Sequence, residues 1–284
     1  MNLIPENTKI QSTDLRVRDL NASVYFYSDL IGFKIIDKND TEAILSSSGE
    51  LPYLIRLTED RSAPVRMKGS TGLYHMAFLF PDRKELARVF MRLFKNNIKF
   101  QGFSDHLVSE AVYLSDPDGN GVELYADKPK NQWQESHGQI IMDTLPLDLS
   151  IITNELDDPD VWEGVHPDTT LGHIHLNVSD IRKAEEFYNE IIGFRITNTQ
   201  FPKALFLGAG GYHHHIGANT WMLDRRAKAD ESSLGLISYT ISIPDKNYAN
   251  SVYERAEENN MKVDSDENGI SVKDHDNIKI RIIS

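Results

Sequence analysis

Short stretches in which apolar and polar residues alternate, each leading through an aspartate into a segment of helical period, recur four times along the chain. TDLRV, GLYHMAFLF, HIHLNV and LISYTISI have the alternation of strands. The segments that follow read as helices, with Leu86, Val89, Phe90 and Leu93 on one face of the second and Val252 and Ala256 on one face of the fourth. Residues 19–35 match residues 180–196 at an offset of 161 without a gap. In both, the leading Asp19 or Asp180 can cap the first turn, and Gly32 or Gly193 can stop the helix before the next strand. Short strands follow each helix, joined by turns such as DPDGNG after AVYLS and DENG before ISVKD. The pattern predicts four strand–helix–three-strand modules, at residues 8–58, 72–126, 171–222 and 234–283.

A single such module cannot cover its own sheet, so modules should associate in pairs within an α+β fold of four βαβββ modules. Residues 1–128 form an N-terminal half and residues 171–284 a C-terminal half. Residues 129–170 are too long for an ordinary connection. With Trp133, Trp162 and the leucines and isoleucines near 140–152, they read as an ordered crossover packed against the domains.

Counting back seven residues from each helix-opening aspartate gives the same first-strand position in every module: Ser12, His75, His173 and Ser238. On the last strand the second module has Glu123, flanked by Val122 and Leu124 that point the other way, whereas the fourth has Ile280. A carboxylate on such a strand is costly to bury unless paired or bound to a metal. Pairing first with second and third with fourth would separate the two histidines. Pairing second with third unites His75, Glu123 and His173, the two-imidazole, one-carboxylate set of a non-haem Fe(II) site, with Mn(II) as the alternative ion. The long crossover gives the slack for that arrangement. His175 shares the face of His173 and is the rival ligand.

Other groups gather nearby. YHHHIGANTW, residues 212–221, is expected on the last strand of the third module, with His213 and His214 as surface residues and His215 deeper, able to act as acid or base. Tyr113 lies across the DPDGNG turn from Glu123, so the two can share a face, and His106 stands upstream. Asp116, Asp118 and Asn120 partly imitate a calcium loop, but their strand flanks favour a tight turn.

Composition narrows the partners. A formal charge of −13 without a basic stretch argues against nucleic acid, and the absence of cysteine removes disulfides and thiol chemistry. No run is long and apolar enough for a membrane span, and the start lacks a signal-peptide layout, so a cytoplasmic protein is expected. Unpaired sheet edges favour a homodimer or larger homo-oligomer. Nucleotide-binding glycine loops, a nucleophile elbow and kinase signatures are missing.

These four modules, with His and Glu on facing strands, resemble the vicinal oxygen chelate (glyoxalase/bleomycin resistance/extradiol dioxygenase) superfamily over nearly the whole chain. The fuller residue set is most similar to its extradiol ring-cleavage enzymes of the bacterial catechol 2,3-dioxygenase group. The resemblance implies two barrel-like domains, iron held by His75, His173 and Glu123, an active-site histidine at His215, a substrate-contacting tyrosine at Tyr113 and a supporting histidine at His106. It also implies a small aromatic diol and O2 as substrates and a muconic semialdehyde as product. The large extradiol enzymes carry their ligands in the third and fourth modules, where this chain has Ser238 and Ile280, so the expected site moves to modules two and three. The rival readings are a glyoxalase-like metal-dependent lyase or isomerase, for which His215 would stand where an additional carboxylate is common, and a non-catalytic small-molecule binder.

Overall fold

The computed structural model describes residues 3–156, 162–221, 228–267 and 269–284. Asn268 of the expected DENG turn, Met222 at the end of the third module and residues 157–161 of the crossover lie outside the described residues.

All four modules form, and in each an aspartate opens the helix. In the first, β1 (Lys9–Val17) leads to α1 (Leu20–Val24), which continues as a π-helix over Tyr25–Ile31, and then to β2 (Lys34–Lys38), β3 (Glu42–Ser46) and β4 (Ile55–Glu59). The second has β5 (Gly72–Phe80), α2 (Arg83–Lys95), β6 (Gly102–Asp105), β7 (Ser109–Ser115) and β8 (Gly121–Asp127). The crossover carries a 3-10 turn (Lys130–Gln132), the small hairpin β9 (Glu135–Ser136) and β10 (Gln139–Ile140), then β11 (Leu145–Pro146) and α3 (Leu149–Thr153). The third contains β12 (Thr170–Asn177), α4 (Ile181–Glu185) continued as a π-helix over Glu186–Ile192, β13 (Arg195–Asn198), β14 (Ala204–Gly208) and β15 (Ile216–Asn219). The fourth contains β16 (Gly235–Ser242), α5 (Lys246–Glu258), β17 (Val263–Asp266), β18 (Gly269–Lys273) and β19 (Lys279–Ile283).

Asp19, Asp82, Asp180 and Asp245 cap these helices, their carboxylates accepting from the amides of Ala22, Glu85, Arg182 and Asn247. α2 buries the expected Leu86, Val89, Phe90 and Leu93, each such side chain contributing about 1.5–3 kcal/mol when removed from water. Gly32 ends the first helix with φ 105°, and a Cβ there would meet Trp162 at 2.5 Å, so both conformation and contact require glycine. Gly193 ends the third-module helix in the same left-handed conformation.

The strands form an eight-stranded sheet, β17-β18-β19-β16-β1-β4-β3-β2, and a nine-stranded sheet, β11-β6-β7-β8-β5-β12-β15-β14-β13. Within the second, third and fourth modules the first and last strands lie side by side in parallel. By packing, the chain divides into two compact units, one of residues 17–62 and 75–171, the other of residues 1–16, 63–74 and 172–284. The crossover thus packs with the first of these, where β11 pairs with β6 and the Trp133 indole donates to the Lys128 carbonyl at 2.9 Å. Among the described residues no helix is long and apolar enough to cross a membrane.

Each unit is fastened by a buried tyrosine and aspartate. In one, the Tyr27 hydroxyl donates to Asp116 at 2.9 Å, and Asp116 also accepts from the amides of Asp118 and Asn120 and from the Asn120 side chain. Those bonds explain the DPDGNG turn without calcium. In the other, Tyr188 donates to Asp274 at 3.0 Å, and Asp274 accepts from the amides of Asp276 and Ile278. Ile278 replaces the donating Asn120 side chain. Burial raises both carboxyls, Asp274 to about 7. A raised carboxyl pKa means that the folded state holds its proton longer than the unfolded state, so stability falls as pH rises toward the folded pKa. Between pH 6 and 8, Asp274 is expected to cost on the order of 1 kcal/mol of stability. Urea unfolding at the two pH values should show that loss, and Asp274→Asn should flatten it.

Candidate metal centre

Parallel pairing sets the site. Ala77 on β5 lies in register with Glu123 on β8, so His75 and Glu123 share a face, and His75 Nε2 lies 2.9 Å from Glu123 Oε2. Across the antiparallel pair β7/β8, Tyr113 stands directly opposite Glu123, as its place beyond the turn predicts. Its ring lies 5.7 Å from that of His75.

Tyr113 belongs to a short polar chain. Its hydroxyl is 2.6 Å from His106 Nε2, and His106 Nδ1 is 2.8 Å from the Asp143 carbonyl oxygen. A carbonyl can only accept, so the neutral His106 ring carries its proton on Nδ1. Nε2 therefore accepts from Tyr113.

On β12, His173 and His175 are 2% and 3% exposed. The His173 ring lies 4.2 Å from that of His214 and 6.1 Å from that of His213. His75, Glu123 and His173 are all buried, and their potential ligand atoms lie within 4.8 Å of one another. Among the described residues this is the one such group of three, and its donors suit Fe(II) or Mn(II). A cavity of about 370 Å³ lined by Arg16, Arg66, Lys262 and Asp276 contains none of these residues.

His215 precedes β15. Its Nδ1 accepts from the Ala209 amide at 3.2 Å, which leaves Nε2 as the protonated nitrogen. Burial, reinforced by His213 and His173, lowers its pKa to about 3, so at neutral pH the ring is an uncharged hydrogen-bond donor.

The sequence model of the Glyoxalase/Bleomycin resistance protein/Dioxygenase superfamily matches residues 9–124 and 170–282. The chain belongs to that superfamily. Over 277 residues it is 42% identical to Catechol-2,3-dioxygenase of Bacillus subtilis (strain 168), a match covering 96% of each chain. It is 28% identical over 129 residues to Biphenyl-2,3-diol 1,2-dioxygenase 3 of Rhodococcus globerulus, covering 44% of this chain and 68% of that protein. Its fold is that of glyoxalase I from Zea mays, with a TM-score of 0.61 at 16% identity over 98% of this chain and 92% of that one. The chain is thus a catechol-2,3-dioxygenase-like member of the superfamily.

Strand register in this superfamily member corrects three sequence expectations. His213 and His214 are not surface residues: they are 0% and 8% exposed, with their Nδ1 atoms 2.7 Å apart. The run of histidines lies in the turn before β15, which begins at Ile216, so strand alternation does not sort them. The third-module counterpart of Glu123 is Gly217 rather than His215, because His175 pairs with Gly217 as Ala77 pairs with Glu123. Likewise, Ser238 pairs with Lys279 and Thr240 with Arg281, which puts Arg281, not Ile280, at the carboxylate position of the fourth module. Gly217 could not have been assigned from spacing alone, because the loop before β15 differs in length from that before β8.

His173→Ala and Glu123→Ala should each abolish stoichiometric Fe(II) or Mn(II) uptake, measured by elemental analysis after anaerobic dialysis. His106→Ala should retain the metal.

Proposed function

We propose that the protein is an extradiol dioxygenase that opens catechol or a substituted catechol with O2 to a muconic semialdehyde. The observation that carries this reading is the buried His75, Glu123 and His173 set with glycine, not a fourth donor, at position 217. A glyoxalase-like site with a fourth carboxylate has no side chain to supply it there.

His75, His173 and Glu123 would hold Fe(II). When bound, iron supplies Lewis acidity toward both catechol oxygens and an electron route to dioxygen. The remaining chemistry belongs to the side chains. Tyr113 offers oxygen lone pairs to a catechol hydroxyl and can pass its own proton to His106 Nε2, so the pair takes up the substrate proton. The Asp143 carbonyl, bonded to His106 Nδ1, holds the ring with Nε2 toward the phenol. His215, held neutral, offers Nε2–H as a hydrogen bond to negative charge that develops on oxygen during ring opening, and the Tyr113–His106 pair can return the proton it took up. Both atoms of O2 end in the product, and the carbon–carbon bond beside one hydroxyl is broken.

The test is anaerobic loading with Fe(II), Mn(II) or Zn(II), followed by catechol and oxygen. Oxygen uptake and a yellow product retaining both atoms of ¹⁸O2 are expected with Fe(II), and no uptake with any of these metals would defeat the assignment. Replacing Tyr113 with Phe or His215 with Ala should lower kcat by about 100-fold while metal content is kept.

A further inference from the structure

The cavity of about 370 Å³ shares no residue with the metal centre, and every residue that lines it belongs to the unit of residues 1–16, 63–74 and 172–284. Its size falls among small-molecule pockets, which span about 300–1,000 Å³. Five cations line it, Arg16, Arg66, Lys262, Lys273 and Lys279, in a chain whose formal charge is −13.

Strand register brings two of these charges together. Lys279 on β19 pairs with Lys273 across the antiparallel ladder to β18 and with Ser238 across the parallel ladder to β16, so the three share a face. Ser238 is the fourth-module counterpart of His75, so an ammonium group neighbours the position that holds a candidate ligand in the second module. Like charges directly opposite each other on a sheet are destabilising, and each calls for a negative partner. Lys273 has one, its Nζ lying 2.6 Å from Glu231. Among the described residues no ion pair joins Lys279 to an acid. The other acids of the lining do not supply it. Asp230 accepts from the Ser232 amide at 2.9 Å and hydroxyl at 2.7 Å, Asp276 accepts from the Ser179 amide at 2.8 Å, and Asp264 is exposed on β17.

The walls are fixed in place. Arg16 donates to the carbonyls of Glu231 at 2.7 Å and Ser233 at 3.0 Å. The Leu234 amide donates to the Pro64 carbonyl at 2.9 Å, and the Ala229 amide to Thr71 Oγ1 at 3.2 Å, so residues 229–234 form a tethered side of the cavity. Arg66 lies against the start of β5, where a Cβ on Gly72 would come within 2.9 Å of Nη1. Leu73 and Leu234, both buried, and Leu236 add an apolar surface beside the charges.

We propose that this cavity binds a small organic carboxylate with an apolar body. The carboxylate supplies the negative partner that Lys279 lacks, and the Arg66 guanidinium has the fork that matches two carboxylate oxygens. Leu73, Leu234 and Leu236 cover the apolar part. A neutral molecule would leave the repulsion between Lys279 and Lys273 in place. Because no lining residue belongs to the metal centre, the site stands or falls independently of the dioxygenase reading.

Calorimetry on the metal-loaded protein at low salt tests this, with benzoate, its neutral analogue benzamide and inorganic phosphate as probes. Benzoate should bind more tightly than either of the others. Lys279→Met and Arg66→Met should each weaken benzoate about tenfold, and Lys279→Arg should restore most of the loss, with circular dichroism and metal content unchanged. His173→Ala, which removes a candidate metal ligand, should still bind benzoate. The proposal is overturned if benzamide or phosphate binds as tightly as benzoate, or if benzoate affinity is the same in Lys279→Met as in the wild type. Loss of benzoate binding in a folded His173→Ala protein would place the carboxylate on the metal and overturn it too.

Discussion

Parallel pairing between the first and last strands of a module is the constraint on which the rest depends. Residues paired across two such strands point to the same side, so one register fixes which side chains can meet. In the second module it puts Glu123 beside Ala77 and within reach of His75. In the third, the same relation puts Gly217 beside His175, and in the fourth it puts Arg281 beside Thr240. One architectural rule therefore yields a carboxylate, a vacancy filled by a neighbouring ring, and a cation.

Burial then decides how these groups behave. Burial keeps the His215 imidazole from taking a proton, and a neutral ring must choose which nitrogen carries its hydrogen. Backbone groups make that choice: the Ala209 amide for His215 and the Asp143 carbonyl for His106. Asn219, oriented by the Trp221 amide, does the same for His175. The direction in which each histidine can move a proton is thus set by parts of the chain with no chemistry of their own.

Much of this was legible in the amino-acid pattern. Helix caps, apolar spacing and the count of seven residues identify four modules and single out His75 and His173, because strands and helices have fixed periods. Glu123 is legible from the same alternation. The last-strand equivalences were not: the loop before β15 is longer than that before β8, which hid Gly217, whereas the turn before β19 matches that before β8 in length, so reading it as shorter put Ile280 where the register has Arg281. The burial of His213 and His214 was hidden because they sit in a turn, where no period applies. Tautomers depend on distant partners such as Asp143, 37 residues from His106, and leave no local trace.

The tyrosine–aspartate fasteners stand apart from the donor positions. Tyr27 with Asp116 and Tyr188 with Asp274 repeat the same contact in the two units, although His75 and Glu123 in the second module are replaced by Ser238 and Arg281 in the fourth. A duplicated module can therefore lose its ligands and still close. That separation frees half of the copies to drift chemically while the scaffold persists, so spare modules such as the fourth, with Ser238 bonded to Asp14 and Arg281 paired with Asp266, are raw material for a new site rather than remnants of a failed one.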